Sequence, residues 1–326
     1  MKALSALRIA LPLCLSALAL SAHTALAQSY PAKPLRIIVG YSPGGGTDVL
    51  SRVLAKYLGE HFKQTVLVEN RAGAGGIVGS ELAARAAPDG YTLHTIPSTH
   101  SINPSLYAKL PYDPIKDFAP VTLIATSPNT VVVHPSLPVK SVRELIAVAR
   151  QRPGELTYAS AGVGSTTHLA AEYFRSMAKI KAVHVPYKGS GQAEIDLASG
   201  QVHYMIDSTP AALPNITSGR TRAIATTGSK RFSILPDVPT VAESGLPKYE
   251  SVSWWGIVAP AGTPQPIVER ISIGIRHVMN LPEVKKLVLT QGAESWTSTP
   301  QEFLDYIKQE TVLYARIISD AGIKVE

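Results

Sequence analysis

Two glycine-rich loops carry the groups in this sequence that could do chemistry. The first, "YSPGGGTD", spans residues 41–48, and the second, "SAGVGSTTH", spans residues 160–168. Each loop follows an apolar run and precedes residues with helical spacing. The free N–H groups at the start of a helix, together with the helix dipole, favour a negative charge there. If the two loops face a shared cleft, they predict a site for a small molecule with two carboxylates.

The candidate contacts are hydroxyls, glycines and ionisable side chains in and beside these loops. They are Tyr41, Ser42, Pro43, Gly44, Gly45 and Asp48 in the first loop, and Ser160, Gly162, Gly164, Ser165, Thr166 and His168 in the second. Ser98 and Thr99 follow another strand pattern. Asp207 ends the apolar run "VHYMID", where it would contact a ligand or brace the opposite loop.

Structural alternatives stay open for several of these residues. Gly44, Gly45 and Gly46 would also suit a tight turn between strand and helix. Thr47 or Ser165 would serve as a helix cap, and Asp48 would complement the helix dipole.

Other functions are disfavoured by what the sequence lacks. Neither loop has the Gly-Lys-Ser/Thr ending of a phosphate loop, and "GVGST" lacks the third glycine of a dinucleotide fingerprint. Ser165 and His168 leave a periplasmic hydrolase as an alternative, without a G-x-S-x-G elbow. The nine histidines show no paired metal spacing, and no basic run suggests nucleic-acid binding. We therefore expect no enzyme activity, no metal and no cofactor.

The first 27 residues have the pattern of an export signal. Lys2 and Arg8 give a positive start, an apolar run follows at 9–20, and "ALA" at 25–27 is a small-x-small cleavage site. The apolar run is shorter than the roughly 20 residues of a membrane span. Cleavage would remove Cys14, the only cysteine, and would lower the net charge from +7 to +5 through loss of two bases. We expect a mature protein of residues 28–326.

The elements that position the loops alternate between strand and helix. The run at 35–40 is a strand pattern, and apolar residues then recur with helical spacing from Val49 to Phe62. Further strand patterns at 65–69 and 91–97 follow in the same manner. This alternation predicts an α/β fold in which each domain is a mostly parallel sheet flanked by helices. Ligands of such sheets lie beyond the carboxyl ends of the strands, where both loops fall.

Two stretches rich in Pro and Gly, near 126–138 and 236–262, predict where the chain crosses between domains. Domain 1 would then comprise residues 28–128 and 253–326, and domain 2 residues 129–252. Two crossings predict a hinge, and we expect the ligand cleft to lie between the domains.

Several long motifs in order resemble the Bug-type (TctC-like) solute receptors of tripartite tricarboxylate transporters. They are "YPAKPLRIIVGYSPGGGTD", "VENRAGAGGIVGSELAARAAPDGYTL", "INPSLY", "YASAGVGSTTHLAAEYF", "VPYKGSGQAEIDLASGQV", "LPDVPTVAESGLP" and "VAPAGTPQPIVERI". The resemblance covers nearly the whole mature chain. One departure is Asp207-Ser208, where relatives often have Asp-Asn, so ligand contacts that depend on that amide are not carried over.

The resemblance implies a periplasmic binding protein with a type II-like, two-domain fold that closes on its ligand like a Venus flytrap. Residues 41–48 and 160–168 would hold a carboxylate through backbone N–H groups and ordered water. The partners would be the two membrane proteins of a secondary transporter driven by an ion gradient, with a sensor kinase as the alternative. A monomer is expected. Thr99 and residues 208–209 are where we expect ligand choice to be set.

Overall fold

The computed structural model describes residues 30–107 and 109–321; the predicted signal peptide at 1–27, with Cys14, lies outside the described residues. The helices are α1 (Gly46–Phe62), α2 (Ile77–Ala84), α3 (Thr99–Leu106), α4 (Val142–Gln151), α5 (Thr166–Ala178), α6 (Ser190–Ala198), α7 (Thr209–Thr217), α8 (Gln265–Asn280), α9 (Pro282–Thr290) and α10 (Pro300–Ala321). The strands are β1 (Leu35–Val39), β2 (Val66–Asn70), β3 (Thr92–Pro97), β4 (Phe118–Val133), β5 (Thr157–Ser160), β6 (Val183–Pro186), β7 (Tyr204–Ser208), β8 (Arg222–Thr226), β9 (Val252–Pro260) and β10 (Glu294–Ser295).

Helix α1 illustrates how the apolar pattern sets the packing. Leu50, Leu54 and Leu58 recur every four residues and are fully buried, so one face of the helix covers the sheet. The helix begins after Gly45, which has an extended conformation, and ends where Lys63 turns left-handed at φ 53°. Burial of each such leucine contributes roughly 1.5–3 kcal/mol.

The strands form one continuous sheet in the order β2-β1-β3-β9-β4-β7-β5-β6, and β8 and β10 also pair with β4. Strands β1, β2 and β3 pair in parallel, as do β5, β6 and β7. Strands β4 and β9 run antiparallel to all their partners. The sheet is therefore mixed, and the expected parallel pairing holds within each outer group of strands.

Strand β4 is shared by both halves of the sheet. It pairs with β9 as far as Pro128, opposite Val252, and with β7 from Asn129 onward, opposite Ser208. The change of partner falls where the sequence predicted a crossing between domains. The two stretches predicted to be crossings, near 126–138 and 236–262, overlap the long strands β4 and β9. The exact domain limits stay a prediction.

Separate apolar cores lie on the two sides of this change of partner. One gathers side chains such as Leu145, Phe174 and Tyr249 around the sheet of β5 to β8. The other side is filled by two clusters that include Leu54 and Phe303. Each half of the molecule thus has its own core, as the α/β two-domain fold predicted from the sequence requires.

Capping groups mark the starts of α10 and α8. At Thr299, the hydroxyl accepts from the Glu302 N–H at 3.2 Å and the Glu302 carboxylate accepts from the Thr299 N–H at 2.8 Å. Helix α8 begins at Gln265, with Pro264 in the cap position.

None of the helices within residues 30–107 and 109–321 is both long enough and apolar enough to span a membrane.

Replacing the cap of α4 should lower stability by a defined amount. Ser141 Oγ accepts from the Glu144 N–H at 3.2 Å, so Ser141→Ala should reduce the free energy of unfolding by about 1 kcal/mol. Urea unfolding measures this change. Ser229→Ala, in an exposed turn, is the matched control and should change it by less than about 0.5 kcal/mol. Equal effects of the two substitutions would contradict the capping role.

Candidate functional site

Two walls of loops meet at the carboxyl ends of the parallel strands. We call the loops after β1, β2 and β3 the first wall (residues 41–48, 71–76 and 98–99). The loops after β5 and β6, together with the end of β7 and the residue that follows it, are the second wall (residues 161–168, 187–191 and 207–209). Helices α1 and α5 start in opposite walls, each directly behind a glycine-rich loop.

The first glycine-rich loop is held in shape by Asp48. Asp48 Oδ2 accepts from the Gly44 N–H at 3.0 Å and from Arg52 Nε at 2.9 Å, and Oδ1 accepts from Asn70 Nδ2 at 2.9 Å. Burial by itself raises the pKa of Asp48, but the hydrogen bonds from Arg52 and Gly44 outweigh it and lower that pKa. Both oxygens are therefore occupied inside the first wall. Asp48 fixes the loop, and its placement as a direct ligand contact stays a prediction.

Tyr41 and Thr99 join neighbouring loops of the first wall. The buried Tyr41 hydroxyl donates to the Gly75 carbonyl at 2.7 Å and lies 2.8 Å from Thr99 Oγ1. Burial raises the pKa of Tyr41, so this hydroxyl stays protonated. Ser98 supports the sheet instead, because its hydroxyl accepts from the Trp254 N–H at 3.0 Å. Thr99 is thus bonded at the wall, while the Ser98 hydroxyl is occupied behind it.

The second glycine-rich loop uses several of its own N–H groups. The Gly162 N–H donates to Ser160 Oγ at 3.1 Å, and the Gly164 N–H donates to His168 Nδ1 at 3.2 Å. These bonds give the loop one conformation before any ligand arrives. They also reduce the number of donors that the loop can offer to a ligand.

The start of α5 leaves two backbone donors for another acceptor. Ser165 Oγ accepts from the His168 N–H at 3.2 Å, so this hydroxyl caps the helix. The N–H groups of Thr166 and Thr167, in the first turn, have no acceptor within their own helix. The helix dipole places partial positive charge at this end.

His168 belongs to a buried stack of rings. Its ring centroid lies 4.1 Å from that of His184, which in turn lies 4.9 Å from that of Tyr158. Burial, together with the neighbouring His168, lowers the pKa of His184 to about 4, and burial also lowers the pKa of His168. His168 Nδ1 accepts from Gly164, so the ring proton lies on Nε2, 4.0 Å from Glu172. Both histidines are neutral at pH 7.

The two walls touch along a seam. The Ser42 N–H donates to the Lys188 carbonyl at 3.1 Å. A methyl group added at Gly191 would collide with the Pro43 carbonyl, and one added at Gly46 would lie 2.6 Å from Ser208 Oγ. The closed seam therefore leaves no room for a side chain at Gly191 or Gly46. The seam is closed in this structure.

A second contact closes the other end of the seam. Tyr107, which follows α3, donates its hydroxyl to the Val163 carbonyl at 3.0 Å. The second glycine-rich loop is therefore held from across the seam.

Asp207 braces the second wall from behind. It is fully buried, and its Oδ1 accepts from Ser190 Oγ and from the Ser208 N–H, both at 2.7 Å. These bonds tie the loop after β6 to the loop after β7. The sequence left two roles open for Asp207, namely contact with a ligand or bracing of the opposite loop. The structure shows bracing bonds, but they lie within the same wall as Asp207.

Thr166 also borders a cavity of about 330 Å³ beside the seam. The walls of this cavity come from α5, α10 and the residues leading into β9, and they include Leu169, Tyr314, Glu250 and Glu310. The volume would suit a small ligand. Two acidic side chains among hydroxyl-bearing and apolar ones, however, disfavour an anionic occupant.

Sequence reasoning missed the loop after β6 as part of the site. Residues 187–191, "YKGSG", follow a strand and open helix α6, which is the same local design as the two loops that were singled out. Ser190 and Gly191 from this loop form much of the contact with the first wall. The repeat of strand, glycine loop and helix was the available signal.

No group of three or more His, Cys, Asp or Glu side chains that could hold a metal ion occurs within the described part of the chain.

A family model described as "Tripartite tricarboxylate transporter family receptor" matches residues 50–323. The chain belongs to this family. Protein BugT of Bordetella pertussis is 37% identical over 302 residues, which cover 92% of this chain and 93% of BugT. Membership in the receptor family confirms the resemblance found in the sequence.

Solved structures of similar proteins share the two-domain fold. Rpa4515 of R. palustris with adipate superposes with a TM-score of 0.89 at 37% identity, covering 91% of this chain and 99% of that chain. MatC of Rhodopseudomonas palustris with bound malate gives a TM-score of 0.84 at 30% identity, and the match covers 89% of this chain and 100% of that chain.

Members of this receptor family bind solutes and are not enzymes. The expectation of no enzyme activity is therefore confirmed, and the hydrolase alternative is wrong. The local geometry agrees, since Ser165 Oγ bonds the His168 backbone and lies 3.0 Å from Thr167 Oγ1. A nucleophile would need the His168 ring as its base.

Gly191→Ala should hold the seam open in the receptor. Alanine suits helix α6 at least as well as glycine, so the free energy of unfolding should not fall. The added methyl group collides with the Pro43 carbonyl, so small-angle X-ray scattering should give a larger radius of gyration than for the wild type. Ile195→Ala, on the exposed face of the same helix, is the matched control and should match the wild type. A Gly191→Ala protein as compact as the wild type would contradict the close approach.

Proposed function

We propose that this protein is an exported periplasmic receptor that captures a small organic acid, above all a dicarboxylate, for a tripartite tricarboxylate-type secondary transporter. The observation that carries the proposal is the placement of two helix N-termini, those of α1 and α5, behind glycine-rich loops in opposite walls of one seam. Each N-terminus attracts one carboxylate through its N–H groups and its dipole.

The polar groups at the seam support an anionic ligand held by neutral donors. Arg52 is paired with Asp48 at 2.9 Å, so its charge is already balanced. Ser42 Oγ is a buried hydroxyl without a hydrogen-bond partner among the described residues. Buried polar groups are normally bonded, and a ligand oxygen would satisfy this hydroxyl.

The solved relatives support a ligand with two carboxyl groups. The R. palustris proteins carry adipate and malate, and each of these acids has two carboxyl groups. Two opposed helix N-termini would hold one carboxylate each, so the width of the closed seam would select the spacing between the carboxylates.

The contacts proposed for the ligand lie on both walls. Pro43, Gly44 and Gly45 would contribute from the first wall, and residues 160–166 from the second. Tyr41 and Thr99 would line the same side as the first loop, where Thr99 and residues 208–209 would set ligand choice. Asp48 and Asp207 would act by fixing these loops.

We also infer that the domains divide at 128/129 and 252/253. The support is the change of pairing partner along β4, from β9 to β7. Closure of two domains about such a crossing would bury the ligand between the walls. Cleavage of the signal peptide near Ala27 and delivery to the transporter's membrane proteins complete the proposed function.

A carboxylate panel tests the proposal directly. Residues 28–326 should be unfolded and refolded to remove carried-over ligand, then melted with mono-, di- and tricarboxylates. A true ligand at about a hundredfold over its dissociation constant should add roughly 2.7 kcal/mol to the free energy of unfolding. We expect dicarboxylates of one spacing to raise the melting temperature most.

The Gly191→Ala protein is the control for this panel. It should melt as the wild type does without ligand, and the same acids should shift it far less because its seam stays open. If no carboxylate shifts the wild type, the proposed ligand class is wrong. Equal shifts in both proteins would place binding outside the seam.

A further inference from the structure

A buried pair of carboxyl groups lies directly behind the second wall. Asp207 at the end of β7 is 0% exposed, and Glu194 on α6 is 4% exposed. Asp207 Oδ1 is occupied by Ser190 and Ser208, and Glu194 Oε2 accepts from Asn215 Nδ2 at 2.9 Å. The remaining oxygens, Asp207 Oδ2 and Glu194 Oε1, have no donor among the described residues. The two carboxyl groups lie within hydrogen-bonding reach of each other.

Two ionised carboxylates are unfavourable in this position. The groups that face the pair are Ser190 from α6, the Ser208 backbone at the end of β7 and Asn215 from α7, and none of them carries a charge. Burial, and then the charge of Asp207, raises the pKa of Glu194 well above its ordinary range. Burial also raises the pKa of Asp207. A single proton between the two groups would satisfy both free oxygens and would leave one negative charge.

Glu194 occupies a position where an apolar side chain would fill the space. Its helix neighbours Ala193 and Leu197 are fully buried in a cluster with Met205. A buried glutamate is costly unless it is paired, and apolar replacements of buried charged groups are often neutral for stability. A carboxyl group here therefore calls for a role beyond filling the core.

We propose that Glu194 is a positioning residue for ligand capture: it shares one proton with Asp207 and thereby holds Ser190 and Ser208 in the closed seam. This inference rests on the proposed function of the seam and adds a dependence on pH to it.

The contacts of Ser190 and Ser208 connect the pair to the first wall. A methyl group added at Gly45 would lie 3.6 Å from Ser190 Cβ, and one added at Gly46 would lie 2.6 Å from Ser208 Oγ. Both serines are bonded to the same oxygen of Asp207. When the shared proton is lost, two buried charges repel, Asp207 moves, and both serines leave their places at the seam. An anion bound at the seam would favour the protonated pair, so ligand binding and proton retention support each other.

The sign of the pH dependence follows from the raised pKa values. The pair contributes its full stability below the ordinary carboxyl pKa of about 4, and this contribution is lost as pH rises through the folded pKa values. His168 and His184 act in the opposite direction below about pH 6.5, because their pKa values are lowered by burial. These histidines are the same in the wild type and in a Glu194 variant, so their effect cancels in the difference.

The first experiment uses the purified protein without ligand. Urea unfolding midpoints should be measured from pH 4 to pH 9 for the wild type and Glu194→Gln. The midpoint of the wild type relative to Glu194→Gln should fall as pH rises. Asp196→Asn, on the same helix, is the matched control. The Asp196 carboxylate accepts from Tyr187 Oη at 2.7 Å. Loss of this carboxylate should leave the pH dependence of unfolding as it is in the wild type. Should Glu194→Gln fail to fold, Glu194→Met removes the carboxyl group while keeping a similar volume.

The second experiment reads the position of the walls. The radius of gyration from small-angle X-ray scattering should rise with pH in the wild type and stay constant in Glu194→Gln. Adipate is the probe, between pH 6.5 and pH 9, where both of its carboxyl groups are ionised. Over this range the dissociation constant of the wild type should rise by up to about tenfold for each pKa unit by which binding raises the pKa of the pair, and that of Glu194→Gln should change less than about twofold.

These outcomes separate the two proposals. Identical pH dependence of unfolding in the wild type and Glu194→Gln would overturn the shared proton. A pH-dependent midpoint with a constant radius of gyration would overturn the positioning role. Failure to bind adipate or any acid of the panel would count against the proposed function alone, since both ligand-free measurements would still decide the role of Glu194.

Discussion

The arrangement of the site depends on the continuous backbone pairing of strand β4. Its first part is fixed to β9 and its second part to β7, so both walls are anchored to one strand. In the closure that we propose, movement of one wall against the other would concentrate where the partner changes. There the contacts are polar: the Asn129 N–H donates to Thr227 Oγ1 at 2.7 Å, and Ser253 Oγ donates to Asn129 Oδ1 at 2.8 Å. A crossing built from hydrogen bonds can bend without opening an apolar core.

Many of the hydrogen-bonding groups in the loops are bonded to other groups of the same wall. Asp48 holds Gly44, His168 holds Gly164, and Asp207 holds Ser190 and Ser208. A loop that is already ordered loses little conformational freedom when a ligand binds, which improves affinity without adding contacts. The few N–H groups at the starts of α1 and α5 that are not bonded within the wall would then donate to a ligand from fixed positions.

Local pattern and tertiary contact explain what the sequence could and could not predict. The buried strand β1 and the amphipathic helix α1 follow from short-range periodicity, and the two glycine-rich loops between such elements are visible in the chain. Parts of β4 and β9 were predicted to be crossings because Pro and Gly cluster near 126–138 and 236–262. The pairing of these two strands joins segments that are distant in sequence, so local pattern could not show it. Glu194 looks like an exposed helical residue, and only the approach of β7 shows that it is buried.

The electrostatic design of the seam favours selection by geometry over selection by charge. Arg52 is balanced by Asp48, His168 and His184 are neutral because burial lowers their pKa values, and the acids behind the second wall share one proton in our proposal. An arriving carboxylate would therefore meet helix dipoles and hydroxyls, whose attraction is short-ranged and directional. Such a site would accept any acid whose carboxylates reach both helix ends. Discrimination between acids would then come from the distance between the carboxylates that fits the closed seam. Helix dipoles at fixed positions stabilise a negative charge only when it lies directly in front of the helix N-terminus.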